Sequence, residues 1–589
     1  MRLQPDADGE CLLHHTKFDT IKRAPGPAGL RRGRALPEPC TGGCGPRRAR
    51  PPRRVPPMNV GLFYRPRPTP GTIFGAGIAA DDFVHSLLRH GTCAPQLFCA
   101  PHDLEDAEAR LGVRPRDERR LLDERTARAI DVWHSPYGNS FEPLNLRSAR
   151  PGRYHPITLA HHSVSYQGLL HHWFLRLLLQ DVQPFDAIVC STTAARDAIA
   201  KIFARVADLA GRQIGARLAF RGRLEVIPLG VDTERFAPGD RSAARARLGL
   251  PRNALLLLWL GRFSAHDKAD LLPTLRLFRD LVRANPRRAL RLILAGTDSF
   301  TGESRVLDAY AGELGVADRI TILRGVSADD KPFLYRAADV FLSPVDNVQE
   351  MFGITPIEAM ACGIPQVVAD WNGYRDLVVH GETGFRVATH WADCDDEAAH
   401  LSLLPNAHQR DHLTLALSVA VDFAQYRAFV QTLIDRPALR REMAAASRAR
   451  AVACFGWKPV IARLETLWRE LRRMAGARPV RGGRDRYERP AFFASFAGHA
   501  THILGAHARV RLTRAGRDLI RGREGLPAYH AAGGVLDPRL IERLLAALAS
   551  VRAARGASLG ELTRRAAKPN RALRHLMWLL KYGFVERAP

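Results

Sequence analysis

Short apolar blocks and longer amphipathic segments alternate along most of the chain. A short, wholly apolar block suits a strand buried on both faces, and apolar residues three or four positions apart suit a helix. Between residues 58 and 231 the pattern predicts a helix at 78–91 and a doubly wound, Rossmann-like domain. Its predicted strands are NVGLFY at 59–64, AIDVWHSP at 129–136, HPITLAHHS at 155–163, FDAIVCS at 185–191 and RLEVIPLG at 223–230.

A second domain with the same alternation is predicted at residues 232–474. The segment IPLGVDTERFAP at 227–238 has the Gly and Pro content of a linker between the two domains. A long helix is predicted at 271–284, and helices from 409 to 474 close the domain. Its predicted strands are ALLLLWLGRF at 254–263, RLILAG at 291–296, RITILRG at 319–325, AADVFLSP at 337–344, QVVA at 366–369 and GFRVA at 384–388.

The two ends of the chain differ from this pattern. Residues 1–57 are rich in Arg, Pro and Gly without apolar periodicity, which predicts a disordered leader. Met58 directly precedes the first predicted strand and is a candidate start of translation, a hypothesis that the sequence leaves open. Residues 475–589 predict a mainly helical domain that resembles a winged-helix unit. Its last helix is expected to carry Leu573, Met577 and Leu580 on one apolar face, with Arg and Lys on the other. Such units bind DNA or serve as docking modules, and the pattern favours docking.

Composition narrows the class of protein. The chain has 589 residues, enough for two or three domains. Its longest wholly apolar run, 254–260, is too short to span a bilayer, and no signal peptide is visible at the start of the sequence. The nine cysteines form no CxxC pair, which indicates a reducing cytoplasm.

The formal net charge of +27 is carried mostly by arginine. Such a charge suits nucleic acid, anionic lipid headgroups or a phosphorylated substrate. A uniform preference for arginine codons would produce the same total. Composition alone leaves these explanations open.

The stretch from 342 to 369 combines a buried strand, a glycine turn, a helix and another strand. Glu350 and Glu358, with seven residues between them, fall in the loop before this helix and inside it. Ligands of open α/β sheets bind at the carboxyl ends of strands, and free N–H groups at a helix start attract phosphate. Both carboxylates are therefore expected to line one cleft, with N–H groups of Phe352, Gly353 and Ile354 facing a phosphate.

Two cations follow the first strand of the second domain. In LGRFSAHDK, Arg262 lies two residues after the buried block and Lys268 six residues later. A loop at that end of the sheet is suited to neutralise the charge that develops on a departing diphosphate. No DxD pair suits a divalent ion, and Asp346 and Asn347 are interpreted as loop structure. We therefore expect neither a metal nor a cofactor.

The motifs SPVDNVQEMFG, EAMACGIP and HGETGF resemble the donor site of family 4 of the retaining glycosyltransferases, which have the two-domain GT-B fold. The resemblance covers about residues 58–474. It implies that Glu358 holds the ribose, that Glu350 holds the transferred sugar, and that Arg262 and Lys268 bind the diphosphate. The chain departs from the family at Ala269, where glycine is usual. It departs again at Met351, where a small residue is frequent and where we expect no loss of activity.

The first domain supplies candidates for the acceptor side. The resemblance implies a histidine that faces the reacting centre, and the HSVS register favours His162 over the adjacent His161. The last helix of the second domain, after FGWKPV, resembles one that crosses back onto the first domain. Gly71, Gly75 and Gly77 would let backbone approach a ligand. A plain strand-to-helix turn explains these glycines equally well.

These features predict a metal-independent, retaining glycosyltransferase that moves a hexose from a nucleotide-diphosphate sugar to an acceptor hydroxyl. Donor base, acceptor and oligomeric state stay open. The basic charge and the segment LLHHWFLRLLL at 169–179 permit peripheral membrane contact. A buried helix is nevertheless the favoured interpretation of this segment. Nucleic acid is not expected as a partner. The alternative is a regulatory DNA-binding or scaffold protein that acts through its C-terminal domain. A nucleotide-sugar 2-epimerase is disfavoured by the EAMACGIP context.

Overall fold

The computed structural model describes most of the chain from Pro57 onward, and this part forms one compact unit. The predicted leader at 1–57 lies outside the described residues except for Pro57. The described ranges are 57–66, 75–138, 141–149, 152–166, 170–298, 302–404, 408–476, 479–480, 491–527, 535–552, 555–564, 566 and 568–588.

A seven-stranded parallel sheet forms the first domain, in the strand order β3-β2-β1-β4-β6-β7-β8. Four of the five predicted strands are buried at nearly every position, as wholly apolar blocks require, and the fifth is half-buried. The strands are β1 (Asn59–Phe63), β2 (Ala94–Cys99), β3 (Arg116–Asp117), β4 (Val132–Ser135), β6 (Ile157–Ala160), β7 (Ala187–Cys190) and β8 (Arg223–Val226). The helices are α1 (Gly75–His90), α2 (Leu104–Leu111), α3 (Glu124–Arg128), α4 (Glu142–Ser148), α5 (Leu175–Leu179) and α6 (Thr193–Ile214).

The second domain contains a six-stranded parallel sheet in the order β11-β10-β9-β12-β13-β14. This is the doubly wound order, in which the direction of strand addition reverses between the first and fourth strands of the domain, here β9 and β12. The strands are β9 (Leu255–Leu260), β10 (Leu290–Gly296), β11 (Ile320–Arg324), β12 (Val340–Ser343), β13 (Gln366–Ala369) and β14 (Gly384–Val387). The helices are α7 (Arg241–Arg247), α8 (Leu272–Ala284), α9 (Glu303–Glu313), α10 (Lys331–Ala337), α11 (Ile354–Ala361) and α12 (Tyr374–Leu377).

A helical hairpin that the sequence did not predict as a unit follows β14. Strands β15 (Thr389–Trp391) and β16 (Val419–Val421) pair antiparallel and enclose α13 (Asp395–Ser402) and α14 (His408–Leu417). After the hairpin, α15 (Phe423–Asp435) and α16 (Pro437–Arg450) pack on the second sheet.

Helix α17 (Trp457–Ala475) returns to the first domain, as the resemblance implies. Its buried apolar residues between Trp457 and Leu471 pack in one cluster with residues of β1 and α1, and the Trp468 indole donates to Thr158 Oγ1 at 3.1 Å. Where it begins, the linker packs so closely that a Cβ on Gly230 would lie 2.2 Å from the Trp457 ring. The predicted α/β fold with two parallel-sheet domains is confirmed.

The C-terminal residues form a small domain with a three-stranded antiparallel sheet in the order β19-β18-β20. In α22 the buried residues are Ala572, His575, Leu576 and Leu579, while Met577 is 40% exposed. The buried face is therefore shifted by about one position from the predicted apolar face, because His575 faces inward. Its Nδ1 donates to Arg571 O, and its Nε2 accepts from Asp537 N. The remaining elements are β5 (Gly152–Arg153) with β17 (Pro479–Val480), and α18 (Phe492–Phe496), β18 (Arg509–Leu512), α19 (Arg514–Ile520), α20 (Pro538–Ala549), β19 (Ala557–Ser558), α21 (Leu559–Arg564), α22 (Pro569–Lys581) and β20 (Val585–Arg587).

Residues 173–178 of the apolar segment pack into the first domain. Trp173, Phe174, Leu177 and Leu178 are each at most 6% exposed, so the buried interpretation of this segment is confirmed. Within the described ranges, every helix is too short or too polar to cross a bilayer.

The carboxylate of Glu465 on α17 joins the two domains and gives a test of this packing. It accepts from Thr92 N at 2.6 Å, Thr92 Oγ1 at 2.5 Å and Cys93 N at 2.8 Å, and it is 3% exposed. Burial alone would raise the pKa of Glu465, but these hydrogen bonds hold it below its ordinary value. Its stabilising contribution is therefore present at neutral pH and is lost as the pH falls through the folded pKa.

Glu465→Ala is expected to lower the Tm, since it leaves buried donors unpaired at a cost of about 1–3 kcal/mol each. Differential scanning fluorimetry measures the change. Glu470→Ala on the same helix is the matched control, because Glu470 and its partner Arg223 are 45% and 30% exposed and such a solvated pair contributes about 0–1 kcal/mol. Equal shifts for the two variants would contradict the interdomain role of Glu465.

Candidate active site

The candidate site lies where β9 and β12 end side by side. The loop after β9 carries Arg262 and Lys268, and the loop after β12 carries Glu350. The two strands are direct neighbours, with Val340 opposite Leu257. Because strand order reverses here, the two loops diverge and open a crevice at the carboxyl end of the sheet.

One amide side chain holds the two loops together. Asn347 is fully buried, and its Nδ2 donates to Lys268 O at 2.5 Å. Its Oδ1 accepts from Gln349 N and Glu350 N, both at 3.0 Å, and its main-chain O accepts from Trp371 Nε1 at 2.7 Å. The interpretation of Asn347 as loop structure is correct but incomplete. Its amide also sets the spacing between the cationic and the acidic loop.

This arrangement brings Lys268 and Glu350 into contact. Lys268 Nζ lies 3.1 Å from Glu350 Oε2, with the two side chains 32% and 19% exposed. Arg262 instead pairs at 2.5 Å with Asp267 Oδ2 in its own loop. Burial would raise the pKa of Asp267, but hydrogen bonds from Ser264 and the Arg262 guanidinium hold it below its ordinary value. The loop therefore presents one cation engaged with an internal acid and one engaged with the acid of the opposite loop.

Helix α11 begins directly beside this pair. Gly353 is its N-cap and has φ of 99°, and a Cβ there would lie 2.3 Å from the Tyr374 ring. Only glycine fits, so the chain enters the helix without a side chain over its first N–H groups. Phe352 is buried and Ile354 is half-buried, which leaves backbone N–H groups as the polar atoms that these residues can offer an anion.

Glu358 does not open freely into the crevice. It is 5% exposed, its Oε1 accepts from Lys331 Nζ at 2.7 Å, and its Oε2 accepts from Tyr335 OH at 2.7 Å. Both partners lie on α10, one helical turn apart, and each is more than twenty residues from Glu358 in the sequence. The expectation that both glutamates line one cleft stays a prediction: Glu350 is 19% exposed beside Lys268, whereas Glu358 is buried against α10.

On the first domain, the loop after β6 approaches the acidic loop. Ser163 Oγ and Ser165 Oγ donate to Gln349 Oε1 at 2.8 and 2.9 Å, next to Glu350. His162 is half-buried, and its Nε2 lies 2.5 Å from Pro136 O. His161 is 4% exposed and points into the core, where burial lowers its pKa to about 4. Of the two histidines, His162 is the one nearer the surface of the crevice.

Further contacts close the crevice. Thr192 Oγ1 donates to Met351 O at 3.0 Å, and the Met351 side chain belongs to an apolar cluster of the first domain. Thr193 N and Oγ1 at the start of α6 donate to the Asp376 carboxylate at 2.6 and 2.5 Å. Sequence analysis missed these residues because each pair is more than 150 positions apart, and because Met351 was judged only as a variant of a motif.

Two other expectations are answered only in part. Gly75 is the first residue of α1, but the preceding residues 67–74 lie outside the described residues, so the proposed glycine loop stays a prediction. Among the described residues, no group of three or more His, Cys, Asp or Glu side chains is arranged to hold a metal ion. Whether activity needs a metal is a matter for experiment.

Comparison with known proteins finds a family match within the second domain. The profile of the family "Glycosyl transferases group 1" matches residues 240–412, which include both loops of the site. Residues 240–412 are therefore similar in sequence to the group 1 glycosyl transferases.

Individual relatives extend the match. The chain is 37% identical over 199 residues to a D-inositol 3-phosphate glycosyltransferase from Nocardia farcinica, covering 33% of this chain and 43% of that protein. It is 33% identical over 284 residues to one from Stackebrandtia nassauensis, covering 46% and 60%. The chain thus spans about half the length of these relatives. A glycosyltransferase structure from Rickettsia africae superposes with a TM-score of 0.50 at 13% identity, over 70% of this chain and 98% of that one, and shows a shared fold.

Asp346 makes the stability of the site depend on pH. It is 8% exposed, and burial raises its pKa to about 8. Asp270 N donates to its Oδ2 at 3.2 Å, while its Oδ1 has no partner among the described residues. Because the folded pKa lies above the unfolded one, the stability present at acidic pH declines as the pH rises toward 8.

Asp346→Asn removes this titration, so the Tm of the variant is expected to fall less between pH 5 and pH 8 than that of the wild type. This interval lies within the span from the ordinary pKa of an aspartate, about 4, to the folded pKa of Asp346, about 8. Thermal unfolding across this range measures the difference. Asp308→Asn, which removes an exposed carboxylate, should leave the wild-type profile unchanged. An equally steep decline in Asp346→Asn would show that Asp346 does not set it.

Proposed function

We propose that the chain is a retaining, metal-independent glycosyltransferase that moves a hexose from a nucleotide-diphosphate sugar to an acceptor hydroxyl. The observation that carries the proposal is the Lys268–Glu350 contact at the reversal point of the second sheet, within the segment that matches the group 1 family. Without a ligand, this cation and this carboxylate neutralise each other. A ligand that carries both phosphate and sugar hydroxyls can engage each of them.

In this proposal, the donor replaces an internal ion pair. Lys268 turns from Glu350 to the diphosphate, and Glu350 accepts from hydroxyls of the transferred sugar. Arg262 and the N–H groups at the start of α11 add positive potential where the leaving diphosphate gains charge. This exchange offsets much of the desolvation cost of each group, because both are already half-buried.

The first domain completes the site. His162 lies on the same loop as Ser163, which donates to Gln349 on the loop of Glu350. Closure of the two domains therefore brings His162 toward the donor. The closing contacts of Thr192 and Asp376 exclude water from the crevice, which favours transfer to an acceptor over hydrolysis. Retention at the anomeric carbon rests on the family likeness. The six described cysteines are free, which supports placement in the reducing cytoplasm.

Lys268→Ala is expected to lower kcat/KM about 10²–10³-fold, as for loss of one preorganised donor. Glu350→Gln should lower it by about one to two decades, since a charged hydrogen bond is worth about 1.5–3 kcal/mol. Release of nucleoside diphosphate from UDP-, GDP- and ADP-sugars measures the rate, with a panel of acceptors. Lys201→Ala, on an exposed turn of α6, is the control. Full activity in Lys268→Ala would contradict the proposal. Loss of wild-type activity in chelator, restored by a divalent ion, would also contradict it.

The buried position of Glu358 calls for a separate test. Glu358→Gln and Lys331→Ala both remove the Lys331–Glu358 ion pair, but only the first removes the carboxylate that the ribose would need. If Glu358 binds ribose, Glu358→Gln raises the donor KM about tenfold or more, while Lys331→Ala changes the Tm with little effect on KM. A similar KM in both variants would assign Glu358 a structural role.

A further inference from the structure

Three phenylalanine side chains are presented to solvent on the short helix α18. Phe492, Phe493 and Phe496 are 66%, 70% and 54% exposed, and the helix buries none of its residues. Ile503, in the following loop, is 53% exposed. Exposed aromatic side chains grouped this closely mark a surface that another apolar phase covers in the working protein.

About half of the net positive charge of the chain lies in the same terminal region. Residues 58–474 carry 53 Lys and Arg against 47 Asp and Glu, whereas residues 475–589 carry 22 against 8. A uniform preference for arginine codons does not explain this difference, because acidic residues are also depleted at the C-terminal end. The terminal region is therefore basic in its own right.

Helix α19 presents part of this charge to solvent. Arg514 and Arg517 on α19 and Arg521 at its C-cap are exposed, and their spacing of three and four residues places them on one side. The Arg514 side chain is 95% exposed, and its nearest carboxylate, that of Asp518, is 3.8 Å away. Ile520 is 46% exposed beside them. Arg517 and Ile520, three residues apart, thus lie side by side on the exposed part of α19.

We propose that residues 491–521 bind the surface of an anionic lipid bilayer. The phenylalanine rings enter the boundary between headgroups and acyl chains, and the arginines of α19 pair with lipid phosphates. Aromatic side chains and cations together are the combination that such an interface selects. Duplex nucleic acid would satisfy the arginines through its phosphates but would leave the three phenylalanine rings in water.

This surface lies outside the donor crevice, so the proposal does not depend on the proposed activity. If both hold, the chain works at a membrane and its acceptor is supplied there. The basic charge then attracts the chain to the bilayer, and the phenylalanines lengthen its stay.

Co-sedimentation of the full chain with lipid vesicles tests the proposal. The vesicles are pure phosphatidylcholine or phosphatidylcholine with phosphatidylglycerol, and a fluorescently labelled DNA duplex serves as the competing polyanion. One variant carries F492A, F493A and F496A, and a second carries R514Q, R517Q and R521Q. The matched control carries V113A, L209A and I214A, which removes side chains that are 43%, 42% and 59% exposed on the first domain.

The wild type and the control are expected to bind anionic vesicles and to release them at high salt. Both surface variants should bind at least about tenfold more weakly, with unchanged Tm, since the Phe variant loses buried apolar area and the Arg variant loses phosphate contacts. The proposal is overturned if the wild type ignores anionic vesicles, or if the phenylalanine variant binds like the control. It is also overturned if the duplex is bound tightly at physiological salt while vesicles are not.

Discussion

The Asn347 amide is the contact on which the candidate site depends. A fully buried side chain that donates to one loop and accepts twice from another fixes both loops with hydrogen bonds that water cannot replace. An amide that loses these partners would remain buried and unsatisfied, so the arrangement is held by the cost of breaking it as well as by the bonds themselves. Lys268 and Glu350 meet because their backbones are held at this spacing.

The crevice is closed by contacts of a different kind. Thr193, in the first turn of α6, donates to the carboxylate of Asp376 in the second domain. A negative charge at this place is favoured by the dipole of the helix N-terminus. Met351 places an apolar side chain in the core of the first domain while its carbonyl accepts from Thr192. The loop that carries Glu350 is therefore tied to both domains, and domain closure and the position of this carboxylate are mechanically linked.

Much of this arrangement could be predicted from the sequence because it is local. Apolar blocks such as QVVA become buried strands at the expected residues, and loops at the ends of adjacent parallel strands must meet. That argument was enough to bring Lys268 near Glu350. It was not enough for Glu358, whose partners Lys331 and Tyr335 depend on the packing of α10 against α11, which no spacing within the motif reveals.

Other features escaped prediction for similar reasons. The hairpin between β15 and β16 lacks a strong apolar period, since α13 is exposed along most of its length. In α22 an inward-facing histidine shifted the apolar face away from the leucine and methionine spacing that the sequence suggested. Polar residues that face inward are the ones that a hydrophobic pattern places wrongly.

A crystal structure of the chain with a bound nucleotide-diphosphate sugar is the most direct test of the central claim. We expect Lys268 Nζ to lie within hydrogen-bond distance of a diphosphate oxygen and Glu350 to contact the sugar, so that their 3.1 Å contact is broken while the Asn347 hydrogen bonds persist. A nucleotide bound elsewhere, or a Lys268–Glu350 pair left intact beside a bound donor, would contradict the account.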